Sequence, residues 1–381
     1  MIQGDDNHLP QYILKLPTFF LPTMNFEKIP PFEDSKTLLD IAFSRARKRK
    51  DEKKFKGKPI DRAKNKEIIK LDLIQGYLDQ RLDKVVKSYP SFDHLPMFYQ
   101  KLIKLTLNPD DLKKAIATLS WARQKIKGFH RQYLRSIQKS QTYENVKLFQ
   151  KQIYGRISSI LRQTDTAIAY INNSRRTMKT FPDIKDGFFT ICLYGFPNIG
   201  KTTLLNKLTG TNAKTAAYEF TTKSINVGYL KQDETDPSKI TTAKSKKKKH
   251  QTGLVVQVCD VPGTLARPEK MNGIEMQAEL VMNEVANLTV YLIDISQEYN
   301  IERQLKLYKK VKKQKTPMLT LFSKQDIVNA ADIEEFKKDH KIKDISMEEL
   351  TKEILSRAKS FYEREAAKVQ EAKLSKKGLG K

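Results

Sequence analysis

The segment from Gly195 to Thr202 has the residue types and spacing needed to hold a polyphosphate. It fits the pattern G-x-x-x-x-G-K-[ST] and lies between an apolar run of strand length and a helical pattern. Backbone amides at the start of that helix are expected to face the phosphates. Lys201 would reach the terminal phosphates, and the Thr202 hydroxyl is placed for Mg²⁺. The pattern predicts a nucleotide site, against the alternative of a bare glycine turn, formed by Gly195, Phe196, Pro197, Asn198, Ile199, Gly200, Lys201, Thr202 and Thr203.

A second metal anchor and a sensor for the terminal phosphate are predicted further along the chain. Asp260 ends a strand-like run and is expected to hold Mg²⁺ through water, and the Gly263 amide is placed to bond the γ-phosphate. Between the two motifs, Phe220, Thr221 and Thr222 lie in a polar loop. One of these threonines, with Thr222 preferred, is expected to close over Mg²⁺ when GTP is bound and to release after hydrolysis.

Residues 323–326 are predicted to read the base. The Asp326 carboxylate can accept hydrogen bonds from N1 and N2 of guanine, which adenine does not offer, so it indicates GTP. Lys324 is expected to lie over the base plane. Ser323 stands where GTPases usually have Asn, which predicts a weaker affinity for the nucleotide. A last guanine loop is predicted at Ser346 and Met347.

These residues need a scaffold of strands and helices to position them. Apolar runs of strand length cover residues 188–194, 225–230, 254–260, 288–294, 318–323 and 342–345. Helical stretches separate the later runs. The pattern predicts an α/β P-loop domain with a doubly wound, mostly parallel six-stranded sheet over residues 183–367, followed by a basic tail at 368–381.

The first half of the chain is polar and helical. Apolar side chains recur at steps of three and four residues within segments 61–88, 92–107, 109–137 and 146–178. One apolar stripe per helix predicts an all-α bundle over residues 25–182, with Lys and Arg on the outer faces. Trp121, one step off its stripe, is predicted to close the edge of the core, the alternative being a ring that stacks on a base. Residues 1–24 are predicted to be an extended arm, the alternative being an upstream start codon included in error.

The charge balance indicates a polyanionic partner. The chain has 71 Lys and Arg against 44 Asp and Glu, a formal net charge of +27, for which nucleic acid is the commonest partner and a lysine-biased genome the alternative. Residues 41–70 hold 13 basic and four acidic side chains, which predicts contact with phosphates or a solvated face. Residues 231–252 add seven lysines and are predicted to form a disordered loop that touches RNA, or a nuclear import signal.

Several other classes of protein are excluded by composition. No stretch approaches the roughly 18 apolar residues that a membrane span needs, so we expect a soluble intracellular protein with no membrane partner. The two cysteines, Cys192 and Cys259, lie in strand-like runs and do not form a disulfide framework. Five scattered histidines give no support to a zinc site or a histidine-based hydrolase.

The second half resembles the Obg/HflX superfamily of GTPases. The loop at 195–201 resembles that group's G-x-P-N-x-G-K, and residues 218–222 resemble its Y-x-F-T-T switch. The likeness narrows to the nucleolar GTP-binding (Nog-type) branch, because residues 272–278 resemble its N-x-I-E-M-Q-A and residues 25–30 with the helical region resemble its N-terminal domain. The eukaryotic members' long C-terminal extension is missing, so the chain resembles an archaeal, short form.

The resemblance implies a GTP-dependent switch in assembly of the large ribosomal subunit. The implied cofactors are GTP and Mg²⁺, and the implied partners are ribosomal RNA, the pre-large-subunit particle and ribosomal proteins. The protein is expected to be a monomer off the ribosome and cytoplasmic, or nucleolar if eukaryotic. Two rivals stay open: a GTPase that acts on mature ribosomes or in stress signalling, and a non-catalytic RNA-binding scaffold with a structural nucleotide.

Catalysis is expected to be slow without help. Thr264 and Leu265 follow Gly263, where Ras-like enzymes carry the Gln that orients the attacking water. In related members the P-loop asparagine helps to bind K⁺ in place of an arginine finger, a role that the resemblance implies for Asn198, with bracing of the loop as the alternative. The catalytic residues are thus predicted to be Asn198, Lys201, Thr222 and Gly263.

Overall fold

The computed structural model describes residues 26–51, 57–210, 225–232, 240–241, 254–263, 273–296 and 300–378. Several predictions fall wholly or largely outside these ranges: the N-terminal arm, the threonine loop with Phe220, Thr221 and Thr222, the lysine-rich segment 231–252, and Thr264 and Leu265 after Gly263. Of that segment the structure describes residues 231–232 and 240–241, which lie in paired strands, so the prediction of a disordered loop is wrong there. The described chain forms two compact units. One contains residues 26–95 and 99–180, and the other contains residues 96–98 and the described chain from residue 181 onward.

The first unit is helical. Its helices are α1 Ser35–Asp51, α2 Pro59–Ser88, α3 Met97–Thr106, α4 Pro109–Lys139, α5 Tyr143–Gln163 and α6 Asp165–Met178. Helix α4 begins as its sequence indicates, because Asn108 Oδ1 accepts the amides of Asp110 at 3.1 Å and Asp111 at 3.4 Å, and Pro109 occupies the first turn. These contacts satisfy backbone donors that a helix start otherwise leaves unpaired.

The core of this unit is built from one apolar stripe per helix. On α2, Leu71, Ile74, Leu78 and Leu82 are at most 1% exposed and stand three or four residues apart. Helix α4 contributes a matching stripe and packs along α2. Full burial of one such side chain is worth about 1.5–3 kcal/mol, so the bundle is held by its interior and leaves the charged faces in solvent.

The prediction of a single helix through residues 146–178 is wrong. The structure divides it at Thr164 into α5 and α6. The Thr164 hydroxyl and amide both donate to Leu161 O, at 2.6 and 2.9 Å, which closes a tight turn, and Asp165 begins the next helix. The apolar period continues in phase across this one-residue break, so periodicity alone could not reveal it.

The second unit is a sheet flanked by helices. Its strands are β1 Phe189–Tyr194, β2 Asn226–Gln232, β3 Ile240–Thr241, β4 Val255–Asp260, β5 Leu288–Asp294 and β6 Met318–Ser323, in the order β3-β2-β4-β1-β5-β6. Strands β4, β1, β5 and β6 are parallel, and β2 is antiparallel to β3 and β4. The helices are α7 Lys201–Thr209, α8 Gly273–Glu284, α9 Ile301–Lys312, α10 Ala330–His340 and α11 Met347–Gly378. The predicted fold class is confirmed.

One predicted strand does not form. Residues 342–345 are not a strand, although the amide of Ile345 donates to Thr320 O on β6 at 3.1 Å. Lys341, in the left-handed region at φ 50°, ends α10, and Ser346 already begins the turn into α11. The amide of Ile342 donates back to Lys337 O of α10 at 3.1 Å, so this end of the segment bonds to the helix and not to β6. Five of the six predicted strands are present, and the sixth strand among the described residues is the two-residue β3.

Helix α11 fixes the strands that carry the candidate site. The Tyr362 hydroxyl donates to Val255 O at 2.7 Å and accepts the Phe189 amide at 3.0 Å. Burial raises the pKa of this phenol to about 12, so it stays protonated at neutral pH. One side chain therefore ties together the starts of β1 and β4, whose other ends lead into the phosphate loop and to Asp260.

Candidate functional site

The loop between β1 and α7 has the backbone geometry of a phosphate cradle. Gly195 has φ 147°, Asn198 φ 56° and Gly200 φ 92°. A Cβ on Gly195 would lie 2.8 Å from Leu292 O, a backbone atom of β5, so this position excludes any side chain. Strand β1 is buried along its whole length and α7 starts at Lys201, so the loop amides lie at a helix N-terminus.

Lys201 is buried against the loop. It is 5% exposed, and its Nζ donates to Phe196 O at 2.6 Å and to Gly195 O at 3.3 Å. Burial lowers the pKa of this ammonium group to about 8, and the charge of Asp260 opposes that shift. An anionic phosphate placed in the loop would restore the charged form, so the site is built to gain from a polyphosphate.

Two oxygen groups suited to Mg²⁺ meet beside the loop. The Thr202 hydroxyl donates to Asp260 Oδ2 at 2.5 Å, and the Asn226 amide donates to the same oxygen at 3.4 Å. Asp260 is fully buried at the end of β4, opposite Leu193 of β1. Within the described ranges no group of three or more His, Cys, Asp and Glu side chains could hold a metal. The Thr202 hydroxyl and the Asp260 carboxylate fit Mg²⁺ by their own chemistry, because this ion is commonly held by one or two protein oxygens together with substrate phosphates.

The predicted phosphate sensor lies against the loop backbone. A Cβ on Gly263 would lie 2.4 Å from Pro197 N and 2.6 Å from Pro197 Cα. This approach requires glycine, because both neighbours are backbone atoms that cannot rotate away. The parallel strands β1 and β4 end side by side, and this brings Asp260 and Gly263 to residues 195–203.

The predicted base-reading residues follow the end of β6. Ser323 Oγ donates to Ile293 O at 3.2 Å, and its Cβ lies 3.9 Å from the Cβ position of Gly200. Lys324 is in the left-handed region at φ 53° and begins a 3₁₀ turn, Gln325–Ile327, in which Asp326 is exposed. Ser323 therefore borders the phosphate loop, while the Asp326 carboxylate remains open to a ligand.

Sequence reasoning missed Asp294. This residue ends β5, is 1% exposed, and its Oδ2 lies 2.8 Å from Lys324 Nζ. The amide of Ser296 donates to its Oδ1 at 2.9 Å, and the side chain of Gln304 pairs with both its backbone N–H and C=O. The buried carboxylate thus orients the lysine expected over the base. The available signal was an Asp at the end of a buried strand, the pattern that identified Asp260.

Ser346 acts in the described structure as a helix cap. Its Oγ accepts the Glu349 amide at 3.2 Å, and Glu349 Oε2 accepts the Ser346 amide at 3.1 Å, which forms a capping box at the start of α11. These bonds lower the pKa of the Glu349 carboxyl. Contact of Ser346 or Met347 with a guanine stays a prediction, as does the role of Phe220, Thr221 and Thr222 outside the described residues.

The helical unit carries a separate, exposed basic surface. Trp121 is 38% exposed, and with Lys125, Lys127 and Arg131 it lines an open groove of about 510 Å³ on α4. That Trp121 closes the edge of the core stays a prediction, because a side chain that is 38% exposed keeps most of its surface covered. Arg123, also on α4, is held by Asp79 at 2.6 Å and Asp83 at 2.7 Å.

Comparisons with known proteins cover both units. The family described as "NOG1 N-terminal helical domain" matches residues 26–185, and the family described as "50S ribosome-binding GTPase" matches residues 190–324. An uncharacterised protein of Methanocaldococcus jannaschii is 33% identical over 309 residues, which are 80% of this chain and 81% of that protein. Nucleolar GTP-binding protein 1 of Drosophila melanogaster is 28% identical over 82% of this chain and 46% of its own length. The chain thus spans under half of that relative.

Solved structures similar to this chain include Era from Aquifex aeolicus bound to GDP·AlF₄⁻, with a TM-score of 0.32 and 24% identity over 44% of this chain and 56% of that one. The FeoB G-domain of Methanococcus jannaschii gives a TM-score of 0.30 at 22% identity, over 45% and 97%. The structure contains, among its described residues, no helix that is both long enough and apolar enough to cross a membrane.

Proposed function

We propose, for a chain that belongs to the NOG1 family of GTP-binding GTPases, that GTP binding and hydrolysis switch its association with the assembling large ribosomal subunit. The observation that carries the proposal is the assembly of Thr202, Asp260 and Gly263 around the phosphate loop. A site that only held a nucleotide would not need Gly263 packed against Pro197. The names of the relatives support the ribosomal context.

The phosphate loop residues 195–203 bind and orient the triphosphate in this proposal. Lys201 gives up its two carbonyl contacts for the terminal phosphates, and the loop amides face the negative charge at the start of α7. Mg²⁺, when bound, would neutralise charge that develops on the phosphate oxygens. Thr202 and Asp260 would hold the ion, and Thr222 would join them in the GTP state. The Gly263 amide would donate a hydrogen bond to the γ-phosphate.

Base choice would come from the end of β6. Asp326 accepts from guanine and Lys324 covers the base plane, held in place by Asp294. The Ser323 hydroxyl donates to Ile293 O, so Ser323 offers the nucleotide fewer hydrogen bonds than the usual Asn would. Ser346 and Met347 would border the base from the start of α11. GTP is therefore the proposed substrate, and Ser323 is expected to lower the affinity of the protein for it.

Hydrolysis by the free protein is proposed to be slow. No Gln follows Gly263, and unassisted small GTPases turn over at roughly 10⁻⁴ per second. Asn198 stands at the strained φ 56° position of the loop, where an amide oxygen can help to hold K⁺ against the phosphates. We therefore expect faster turnover in K⁺ than in Na⁺, and loss of most of this difference in Asn198→Ala.

The helical unit, residues 25–182, would supply the contact with ribosomal RNA. Lys125, Lys127 and Arg131 are exposed, and exposed cations of this kind bind phosphate backbones without regard to sequence. Ribosomal proteins would complete the contact, and the chain would be a monomer in the cytoplasm, or in the nucleolus of a eukaryote, when off the particle. Residues 183–367 would be the switch.

Sedimentation of cell extract on a sucrose gradient tests this function. The wild type in GTP is expected to co-migrate with immature large-subunit particles and to leave them in GDP. Lys201→Ala should stay at the top, whereas Lys207→Ala, an exposed lysine on the same helix, should behave like the wild type. Migration with mature ribosomes would favour a role in translation or stress signalling. Association with particles that is equal in GTP and in GDP would favour a non-catalytic scaffold.

A further inference from the structure

An open groove lies between α1 and α2 of the helical unit. It has a volume of about 460 Å³ and is lined by Arg45, Lys48, Asp72, Gly76, Tyr77 and Gln80. This volume lies within the roughly 300–1,000 Å³ typical of small-ligand sites. An ideal Cβ on Gly76 would have no neighbour within 4 Å, so the wall of the groove is open at this residue.

The chemistry of the groove combines a flat stacking surface with cations. The Arg45 guanidinium carbon lies over the Tyr77 ring, 4.6 Å from its centroid, so the ring supports the planar cation from behind and the two form a stacked Arg45–Tyr77 platform. Arg45 and Lys48 are exposed and available to phosphates. Unpaired RNA bases stack on aromatic rings and on Arg planes, whereas duplex RNA keeps its bases inside the helix.

The polar groups that face the groove suit a base edge. Gln80 offers a carbonyl oxygen and an amide nitrogen, and Asp72 offers carboxylate oxygens that accept from base amino groups. Asp72 is held by His130 Nε2 at 2.7 Å from α4, which fixes its position. The two cations outnumber this single carboxylate, so the charge of the groove favours an anionic ligand.

We propose that the groove between α1 and α2 binds one unpaired nucleotide of RNA, with its base against the Arg45–Tyr77 platform. The proposal rests on the RNA-binding function proposed above and gives that function a site for single-stranded RNA. The base edge contacts Gln80 and Asp72, and the adjoining phosphate contacts Lys48. The basic surface around Trp121 binds phosphates of either strand form, so the two surfaces differ in what they recognise.

Binding of two labelled RNAs by fluorescence anisotropy tests the proposal on the full chain. One RNA is a single-stranded octamer and the other a blunt duplex of 16 base pairs. Arg45→Lys keeps the charge and removes the planar group, and Gly76→Gln fills the groove. Gly76→Ala, which adds one methyl group to open space, and Arg131→Lys, the same change outside the groove, are the matched controls. Circular dichroism verifies that each variant is folded.

Arg45→Lys and Gly76→Gln should each weaken single-strand binding about 5- to 150-fold, the range seen for loss of one base stack, and leave duplex binding within about twofold. Both controls should bind like the wild type. Equal losses on the two RNAs, or no loss on either, would overturn the groove while leaving RNA binding intact. Unchanged RNA affinity with weaker sedimentation on particles would assign the groove to a protein partner instead. Failure of the wild type to bind any RNA would overturn the RNA-binding function and the groove together.

Discussion

The phosphate site and the basic surface of the helical unit use positive charge in opposite ways. At the phosphate site one lysine, Lys201, is 5% exposed and rests on two carbonyls, and burial lowers its pKa to about 8. On the helical surface Lys125, Lys127 and Arg131 stand in solvent with no such constraint. Binding at the phosphate site thus depends on the charge of one side chain, whereas binding at the helical surface depends on several charges together.

This difference determines how strongly each substitution should weaken binding. Removing one partner from a buried charged contact costs about 2–5 kcal/mol, whereas an exposed charge contributes in proportion to the phosphates it meets and is screened by salt. Single changes should therefore abolish function at the phosphate site, and only combined changes should be visible on the helical surface.

The largest expected effect is that of Lys201→Ala. It removes the buried cation that the loop presents to phosphates, so the affinity for GTP should fall by about 2–5 kcal/mol, in Na⁺ and K⁺ alike. Titration with a fluorescent GTP analogue measures this loss. Lys207→Ala, on the exposed side of the same helix, is the control and should bind normally. A loss of GTP affinity below about twofold would contradict the view that the phosphate site depends on one buried charge.

Asp326→Asn should have the next largest effect. It removes the charged acceptor for guanine, which should weaken GTP binding by about 1.5–3 kcal/mol and allow xanthosine triphosphate to compete. Competition binding with both nucleotides measures the change. Asp339→Asn, an exposed acid on α10, is the matched control. Equal affinity of the wild type for GTP and ATP would contradict the assignment.

The pKa of Lys201 predicts a smaller, pH-dependent effect. Its value in the free protein is lowered to about 8, and phosphates bind the protonated form, so the contribution of Lys201 to nucleotide affinity should be complete below pH 8 and fall as pH rises above it. Binding at pH 8 should take up about half a proton. Calorimetry in buffers of different ionisation enthalpy measures this uptake, and a value of zero would show that the ammonium group is already fully charged.

The smallest effect per residue is expected on the helical surface. Replacing Lys125, Lys127 and Arg131 together by Gln should lower the slope of log affinity for duplex RNA against log salt by up to about 2.7. Binding at several salt concentrations gives the slope. Arg123→Gln should leave the slope unchanged and lower stability instead, because this residue pairs with Asp79 and Asp83. A change of this slope in Arg123→Gln would contradict the assignment of Arg123 to structural ion pairs.

The nucleotide motifs could be predicted from the sequence because each is a short contiguous run. Residues 195–203 need only their own backbone geometry and a strand before them, and Asp260 and Gly263 need only the end of a neighbouring parallel strand. Strands β1 and β5 were equally readable, since burial on both faces leaves uninterrupted apolar runs.

Contacts between distant residues could not be read in this way. The pairing of Asp294 with Lys324, of Arg123 with Asp79 and Asp83, and of Arg45 with Tyr77 joins side chains that packing alone brings together. The break at Thr164 and the missing strand at 342–345 depend on local hydrogen bonds that leave the apolar period unchanged. Periodicity reports which face of a segment is buried, whereas the partner of a charge depends on where the neighbouring element lies, and only the folded chain decides that.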